Sequence, residues 1–257
     1  MKFKYLCSLC FLTFLTVSCT NNGENIKDKD FYVKLTNSKV QLALSEKADF
    51  MVTSNDLAID SMGPFAEDTY LDLPKADVLD DENVPFNYGQ FISNGNTSVY
   101  RYFKYTFYVG NLGDKPAQYD LKINLPNIKS DDGTRRSLIH TLRIMVFENN
   151  VDANTHNFEI FAKESAEYHY DKDGNRTRRE FVAARPQTDK EDDQHPLATS
   201  FENNSVAVSY KRNDFKENQK TRYTIVFWLE GEDPECSNVA PEGCSIKIGV
   251  NIKAYEN

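Results

Sequence analysis

Hydrophobic and polar residues alternate with a period of two in several segments of the chain. The pattern is clearest over residues 246–254, which read IKIGVNIKA. The same alternation recurs over residues 119–125, 142–146, 158–163 and 206–210. Because successive side chains of a β-strand point to opposite faces, this period predicts strands with one buried and one solvent-facing side. Such strands are typical of antiparallel sheets.

Two segments carry large apolar residues on both predicted faces. They are VYRYFKYTFYV at 99–109 and TIVFWL at 224–229. A strand of this composition is buried on both sides, so we predict two central strands whose second faces are covered by a long loop. Weaker strands are predicted over 39–44, 49–53 and 179–183.

The connections between predicted strands are mostly short and rich in turn-forming residues, as in NLGDKP at 111–116 and SDDG at 130–133. We find no convincing amphipathic helix of ten residues. The predicted fold class is therefore all-β: an antiparallel β-sandwich of about nine to eleven strands with long loops.

Two segments are too long to be simple turns. Residues 55–98 contain scattered prolines, and residues 185–196 are highly charged without a large apolar residue. Loops of such length are usually functional or disordered. We expect the aromatic residues of the first segment to order it against the sheet; they are Tyr70, Phe86, Tyr88 and Phe91.

Residues 1–18 have the organisation of an export signal. Two lysines precede an apolar run at 5–17 that is too short to span a bilayer. The run ends at Ser18-Cys19, and a small residue before a cysteine is typical of a bacterial lipoprotein signal. We predict lipidation at Cys19, with ordinary cleavage near Ser18 as the alternative. The mature chain then has a tether at 19–29 and a single sandwich domain at 30–257, on the outer face of the bacterial membrane or the cell surface.

The chain is acidic, with a formal net charge of −9. Removing residues 1–18 takes away Lys2 and Lys4, so the mature chain carries −9 − 2 = −11. This charge argues against nucleic acids and anionic membrane surfaces as partners. We expect membrane contact through the lipid anchor only.

The cysteine-bearing stretch FWLEGEDPEC at 227–236 raises the question of a metal site. It lacks the alternating acids of a calcium loop, and no histidine lies near enough in sequence to complete a zinc site. We predict a turn with solvated acids that joins the last two strands as a hairpin. We also predict a disulfide between Cys236 and Cys244, worth about 2–3 kcal/mol. Cation or partner contact is the alternative for the acids.

No catalytic motif is visible in the chain. None of the four histidines stands in H-E-x-x-H, and there is no G-x-S-x-G or phosphate-binding glycine motif. The stretch DKDGN at 171–175 is better explained as a hairpin tip than as a calcium loop. We predict no cofactor and no metal site. The missing motifs favour a protein that is not an enzyme, but a triad scattered over loops stays open.

The aromatic strand at 99–109 offers a candidate binding surface. Core packing explains one alternating set: Val99, Phe103, Tyr105, Phe107 and Val109. The opposite face carries Tyr100, Tyr102 and Tyr108, which could stack on a ligand or a partner. Together with the loop aromatics Tyr70, Phe86, Tyr88 and Phe91, they form the predicted binding surface.

Three blocks of the sequence resemble segments of exported Gram-positive proteins of the TasA/camelysin-like kind. They are YFKYTFYVGNLGDKPAQYDLKINL at 102–125, LRIMVFENN at 142–150, and RYTIVFWLEGEDPEC at 222–236. The resemblance implies a jelly-roll-like sandwich and a role in the cell envelope or the extracellular matrix. TasA-like members form matrix fibres, and camelysin-like members have been described as surface metallopeptidases. No catalytic residue carries over, and the cysteine at the end of the leader departs from the family pattern.

Three functional hypotheses follow. The first is a surface-exposed, lipid-anchored structural or adhesive protein, whose partner is a second copy or another surface or matrix protein, with strand addition at an open sheet edge as one route. The second is a metal-dependent surface peptidase. The third is a module that binds carbohydrate or another ligand through its aromatic residues.

Overall fold

A computed structural model of the protein describes most of the predicted sandwich. The described residues are 26–60, 62, 76–81, 91–94, 97–100, 102–129, 138–150, 157–163, 168–170, 172–178, 198–229 and 245–256. The predicted signal and the lipidation residue Cys19 lie outside these ranges, as do Cys236 and Cys244.

The described chain is built mainly of β-strands. The two short α-helices are α1 (Ala76–Asp80) and α2 (Leu138–Thr141). The strands are β1 (Phe31–Ser38), β2 (Leu42–Ser45), β3 (Asp56–Ile59), β4 (Phe91–Asn94), β5 (Thr97–Tyr100), β6 (Phe103–Asn111), β7 (Ala117–Lys129), β8 (Leu142–Asn150), β9 (Phe158–Ala162), β10 (Tyr168–Tyr170), β11 (Arg176–Arg178), β12 (Thr199–Ser200), β13 (Val206–Phe215), β14 (Lys220–Leu229) and β15 (Ser245–Glu256).

Two sheets pack face to face and form an all-β sandwich, as predicted. The first sheet has the strand order β13-β7-β15-β1-β3, and the second has the order β12-β9-β8-β14-β6-β2. The pairs β4-β5 and β10-β11 form separate two-stranded hairpins. These strand orders do not confirm the jelly-roll topology that the resemblance implies.

The sheets are mixed, which corrects the prediction of a purely antiparallel sandwich. Strand β1 runs parallel to β15, from Phe31 beside Ile248 to Ser38 beside Tyr255, and β12 runs parallel to β9. Strands β1 and β15 stand at opposite ends of the described chain, so no tight turn forces them to run antiparallel. Side-chain alternation reports which face is buried but not the direction of the neighbouring strand.

The last two strands do not form the predicted hairpin. Strand β14 lies between β6 and β8 in the second sheet, whereas β15 lies between β7 and β1 in the first. Both edges of β14 are therefore occupied, and the segment 230–244 joins one sheet to the other. The acids and cysteines of that segment lie outside the described residues.

The main core fills the space between the sheets. The second sheet contributes four members of the predicted alternating set, all buried: Phe103, Tyr105, Phe107 and Val109. The fifth, Val99, lies in β5 of the separate hairpin and not in this sheet. Aromatic rings pack across the core, with 4.8 Å between the centroids of Phe31 and Tyr105. The first sheet supplies mainly aliphatic residues: Val33, Leu35, Leu121, Ile123, Val250 and Ile252.

A second cluster lies on the outer face of the second sheet. It contains Leu79, Tyr102, Met145, Phe147, Ile160, Val226 and Trp228. Helix α1, from the long segment 55–98, supplies Leu79, which confirms that a loop covers the second face of the central strands. Arg143 and Met145 are also buried, although alternation places them on the solvent-facing side. The prediction failed there because that face of β8 is covered.

Several local predictions have mixed outcomes. The segment 99–109 is divided into β5 and β6, and 49–53 is a turn rather than a strand. Phe50 has a φ of 55° in that turn, a left-handed conformation that ends an extended strand. Residues 172–175 form the tip between β10 and β11, with Gly174 at a φ of 80°, as predicted for a hairpin. The predicted strand 179–183 lies outside the described residues.

Candidate functional site

The predicted binding surface is only partly within the described residues. Tyr70, Phe86 and Tyr88 lie outside them. Phe91 and Tyr100 are described by their backbone and are register partners in the hairpin of β4 and β5. Their role in binding stays a prediction.

Tyr102 and Tyr108 are buried, with 5% and 2% of their surface exposed. Tyr102 belongs to the second cluster, and burial raises the pKa of its hydroxyl. The ring of Tyr108 packs edge-on against Phe50, with centroids 6.4 Å apart. Neither ring presents its face to solvent, because the outer face of β6 is covered. This corrects the expectation of an open stacking platform at these two positions.

The same outer face carries polar and charged side chains beneath α1. We define the outer cradle as the residues of the second sheet that face α1: Tyr102, Lys104, Met145, Asn149, Arg222, Val226 and Trp228. Strands β6, β8 and β14 lie side by side, so their outward residues form one continuous surface. Leu79 of α1 packs into its apolar part, among Tyr102, Met145, Val226 and Trp228.

Asp80 of α1 binds the polar part of the cradle. Its Oδ2 accepts a hydrogen bond of 2.6 Å from Nη2 of Arg222 and one of 2.8 Å from Nδ2 of Asn149. The Asp80 side chain is fully buried, and that of Arg222 is 15% exposed. A buried carboxylate requires such partners, because an unpaired charge is costly in a low-dielectric environment.

Lys104 lies beside this ion pair on β6. Its Nζ donates a hydrogen bond of 2.6 Å to the backbone oxygen of Asp81, and the residue is 1% exposed. Burial lowers the pKa of Lys104 to about 8, an effect that the nearby carboxylates of Asp80 and Asp81 oppose and that Arg222 reinforces. A lysine with such a depressed pKa, beside a charge partner, is the kind of group that marks candidate functional sites.

The loop between β2 and β3 is an exposed feature of the molecule. Phe50 holds it in place: its ring covers Gly110, where an added Cβ would lie 2.6 Å from a ring carbon. Nζ of Lys220 lies 4.9 Å from the Phe50 centroid and donates a hydrogen bond of 2.9 Å to the oxygen of Ala48. The loop presents Met51 and Val52 to solvent, and we call this pair the apolar tip.

A polar network connects the two sheets inside the sandwich. The hydroxyl oxygens of Tyr119 and Tyr223 are 2.7 Å apart, and the Tyr223 hydroxyl donates to Oε1 of Glu148. Nη1 of Arg212 donates to the same oxygen over 3.1 Å. Burial raises the pKa of Tyr119 to about 12, so its hydroxyl stays protonated at neutral pH. The network therefore acts as a clamp between β7 and β13 on one side and β8 and β14 on the other.

The charged residues of the cradle and the acids that bind them were not predicted from the sequence. Lys104 and Arg222 are cations within strands rich in large apolar residues, and Leu79-Asp80-Asp81 is a short acidic motif within a long loop. A buried cation in a central strand needs a nearby acid. This requirement could have indicated an acidic partner for Lys104. It could not identify the partner, because Asp81 lies 23 residues away in the sequence.

The described residues include no group of three or more His, Cys, Asp or Glu side chains placed to hold a metal ion. Within the same ranges, no helix combines the length and the apolar character needed to cross a bilayer. Comparison of the chain with protein-family models, curated proteins and solved structures finds no match in any of the three. The resemblance to TasA/camelysin-like proteins therefore stays a prediction.

Proposed function

We propose that the protein is an exported structural or adhesive β-sandwich protein, held at the outer face of the membrane by a lipid on Cys19. It acts by binding a second copy of itself or another surface or matrix protein. The observation that supports this function is the apolar tip. Met51 is 84% exposed and Val52 is 80% exposed, side by side on one loop.

The conformation of the loop favours a binding role for the tip. Phe50 adopts a left-handed backbone conformation, which costs a non-glycine residue about 1–3 kcal/mol and often marks functional segments. Its ring, Gly110 and Lys220 together hold the loop in this shape. A preformed apolar surface loses little conformational entropy on binding, so more of its burial energy appears as affinity.

The edges of the sheets favour contact through side chains over direct strand addition. Among the described edge strands, β2, β3 and β12 have four residues or fewer. Strand β13 is longer, but its pairing with β7 is irregular at Val206/Val208 and at Arg212/Phe215. Its Arg212 also reaches the polar clamp between the sheets. Short strands, bulges and inward charges are the features by which natural sheets resist edge-to-edge association.

The direct test is whether the exported domain assembles. The chain from residue 21 would be concentrated at neutral and mildly acidic pH and followed by light scattering and electron microscopy. Because the mature chain is strongly acidic, lowering the pH reduces repulsion and should promote ordered association. Regular assemblies are the expected result. A monomer under all conditions that also fails to adhere to bacterial cell-surface preparations would overturn the proposal.

A further inference from the structure

Three successive residues of one short segment are each recognised by a different part of the outer cradle. The side chain of Leu79 enters the apolar cluster around Trp228. The carboxylate of Asp80 binds Arg222 and Asn149, and the backbone oxygen of Asp81 binds Lys104. We propose that the outer cradle is a binding site for short acidic peptides in which a leucine precedes two acids, and that α1 is its resident ligand.

The two cations of the cradle favour an acidic ligand. Lys104 is a buried cation, and Arg222 on the neighbouring strand has only 15% of its side chain exposed, whereas the chain as a whole is acidic. Without an acidic occupant these cations would lack a carboxylate partner, and the apolar surface beside them would be exposed to water. Both changes are unfavourable. An occupant must therefore supply a carboxylate and an apolar side chain on adjacent residues. Leu79 and Asp80 meet both requirements.

The cradle also offers a donor that its resident does not use. Nε of Arg222 is buried and makes no hydrogen bond to any residue in the described part of the chain. A guanidinium can bind a carboxylate through two nitrogens at once, whereas the hydrogen bond from Arg222 to Asp80 uses Nη2 and leaves Nε without a partner among the described residues. A peptide carboxylate placed slightly differently could engage both nitrogens, so the resident segment is not the best ligand that the site can hold.

The mode of attachment makes α1 separable from the sandwich. It spans five residues, and an isolated helix of that length is unstable in water. Its contacts with the second sheet include the side chains of Leu79 and Asp80 and the carbonyl group of the following Asp81, and α1 pairs with neither sheet as a strand. Docked and released states of α1 can therefore exchange while both sheets stay intact, and a ligand that binds the released state shifts that equilibrium.

Trp228 provides a direct probe, because it is the sole tryptophan of the chain and lies in the cradle. The first variant is the full mature chain with Leu79→Ser and Asp80→Ser, which removes both side chains that fill the cradle. Its tryptophan emission should shift to longer wavelength and become more accessible to acrylamide. Adding the synthetic peptide ADVLDDEN, which copies residues 76–83, should reverse both changes.

Two controls distinguish specific recognition of the peptide from nonspecific binding. Arg222→Met in the doubly substituted background should weaken peptide binding by about 30-fold or more, because it removes the main partner of the carboxylate. A peptide of the same composition with the leucine placed after the acids should bind correspondingly weakly. Equal binding of both peptides, or no binding by a cooperatively folded variant, would overturn the proposal.

A measurement on the unmodified protein covers the case in which the double variant does not fold. Hydrogen exchange of the backbone amides at 76–81 would be followed with and without an excess of the ADVLDDEN peptide. Competition for the cradle releases α1, so its amides should exchange at least about threefold faster, while the amides of β14 stay protected. Unchanged exchange at 76–81 at millimolar peptide would overturn the proposal on its own.

Discussion

At the scale of single residues, the buried Lys104 and the largely buried Arg222 are the main charged features of the outer cradle. Lys104 and Arg222 lie on the outer face of β6 and β14, which strand alternation assigns to solvent, and each is compensated by α1 or the residue that follows it. Their burial was not predictable from the sequence, because both acids come from a distant loop. By contrast, the buried aromatic residues of β6 were predictable, since their period of two needs no partner to be recognised.

Arg222→Met tests how much the ion pair between Arg222 and Asp80 contributes to the free energy of unfolding. The substitution removes the ion-pair partner of the buried Asp80 carboxylate, so we expect a loss of about 3 kcal/mol in the free energy of unfolding. The matched control is Arg212→Met, whose pair with Glu148 is about 30% exposed on each side and should cost less than about 1 kcal/mol. Urea denaturation measures both. Equal losses would contradict the structural account of the cradle.

Lys104 sets a pH dependence of stability. Burial lowers its pKa to about 8 in the folded chain, against an ordinary value of 10.5. Between these values the unfolded chain binds more protons, so the contribution of this group to stability rises with pH, by up to roughly 3 kcal/mol. Lys104→Met should flatten this rise in urea denaturation between pH 7 and 9.5. Parallel curves for the two proteins would contradict the burial of a charged amine.

The buried tyrosines act in the opposite direction at higher pH. Burial raises the pKa of Tyr119 to about 12, so above pH 10 the folded chain keeps a proton that the unfolded chain loses. Stability should therefore fall above pH 10 in both the wild type and Lys104→Met. The comparison of the two proteins is for this reason confined to the range below pH 9.5.

At the scale of elements, the limits of pattern analysis are clear. Alternation predicted β7, β8, β13 and β15 as strands, because each has an apolar face toward the main core. It did not predict that β14 and β15 lie in different sheets or that β1 runs parallel to β15, since both depend on which strands become neighbours. The segment 49–53 was predicted as a weaker strand, but it is a turn in which Met51 and Val52 face solvent.

Gly110→Ala tests the element that supports the apolar tip. The new methyl group would lie within 2.6 Å of the Phe50 ring, so the ring must move, at a cost of about 1–3 kcal/mol in the free energy of unfolding. The amides of residues 47–53 should also exchange faster. In a Phe50→Ala background the same substitution should cost far less, because the clash is gone. An unchanged cost in that background would show that the ring does not hold the loop.

At the scale of the whole molecule, the sequence predicted an all-β sandwich, and the structure confirms it. Burial on both sides of the central strands was also predicted, together with a loop that covers the outer face. The mixed strand directions and the polar cradle were not predictable, because they arise from contacts between residues far apart in sequence. The predicted export, lipid anchor and disulfide involve residues outside the described ranges and stay predictions.

Cys19→Ser tests the proposed anchor. Without the thiol no lipid can be attached, so the protein should move from the membrane fraction to the soluble fraction and lose the mass of the lipid. Cys7→Ser is the matched control, because it removes a cysteine of the leader and should leave anchoring unchanged. Fractionation with mass spectrometry checks both variants. Retention of the Cys19→Ser protein in the membrane fraction would contradict the lipid anchor.

The most direct measurement of the central claim is sedimentation velocity of the chain from residue 21, with the wild type compared with Met51→Ser/Val52→Ser. If the apolar tip mediates association, the wild type should form larger species and the double variant should associate at least about tenfold more weakly. Leu112→Ser, another exposed apolar residue, should behave as the wild type. Identical association of the double variant and the wild type would contradict the proposed role of the tip.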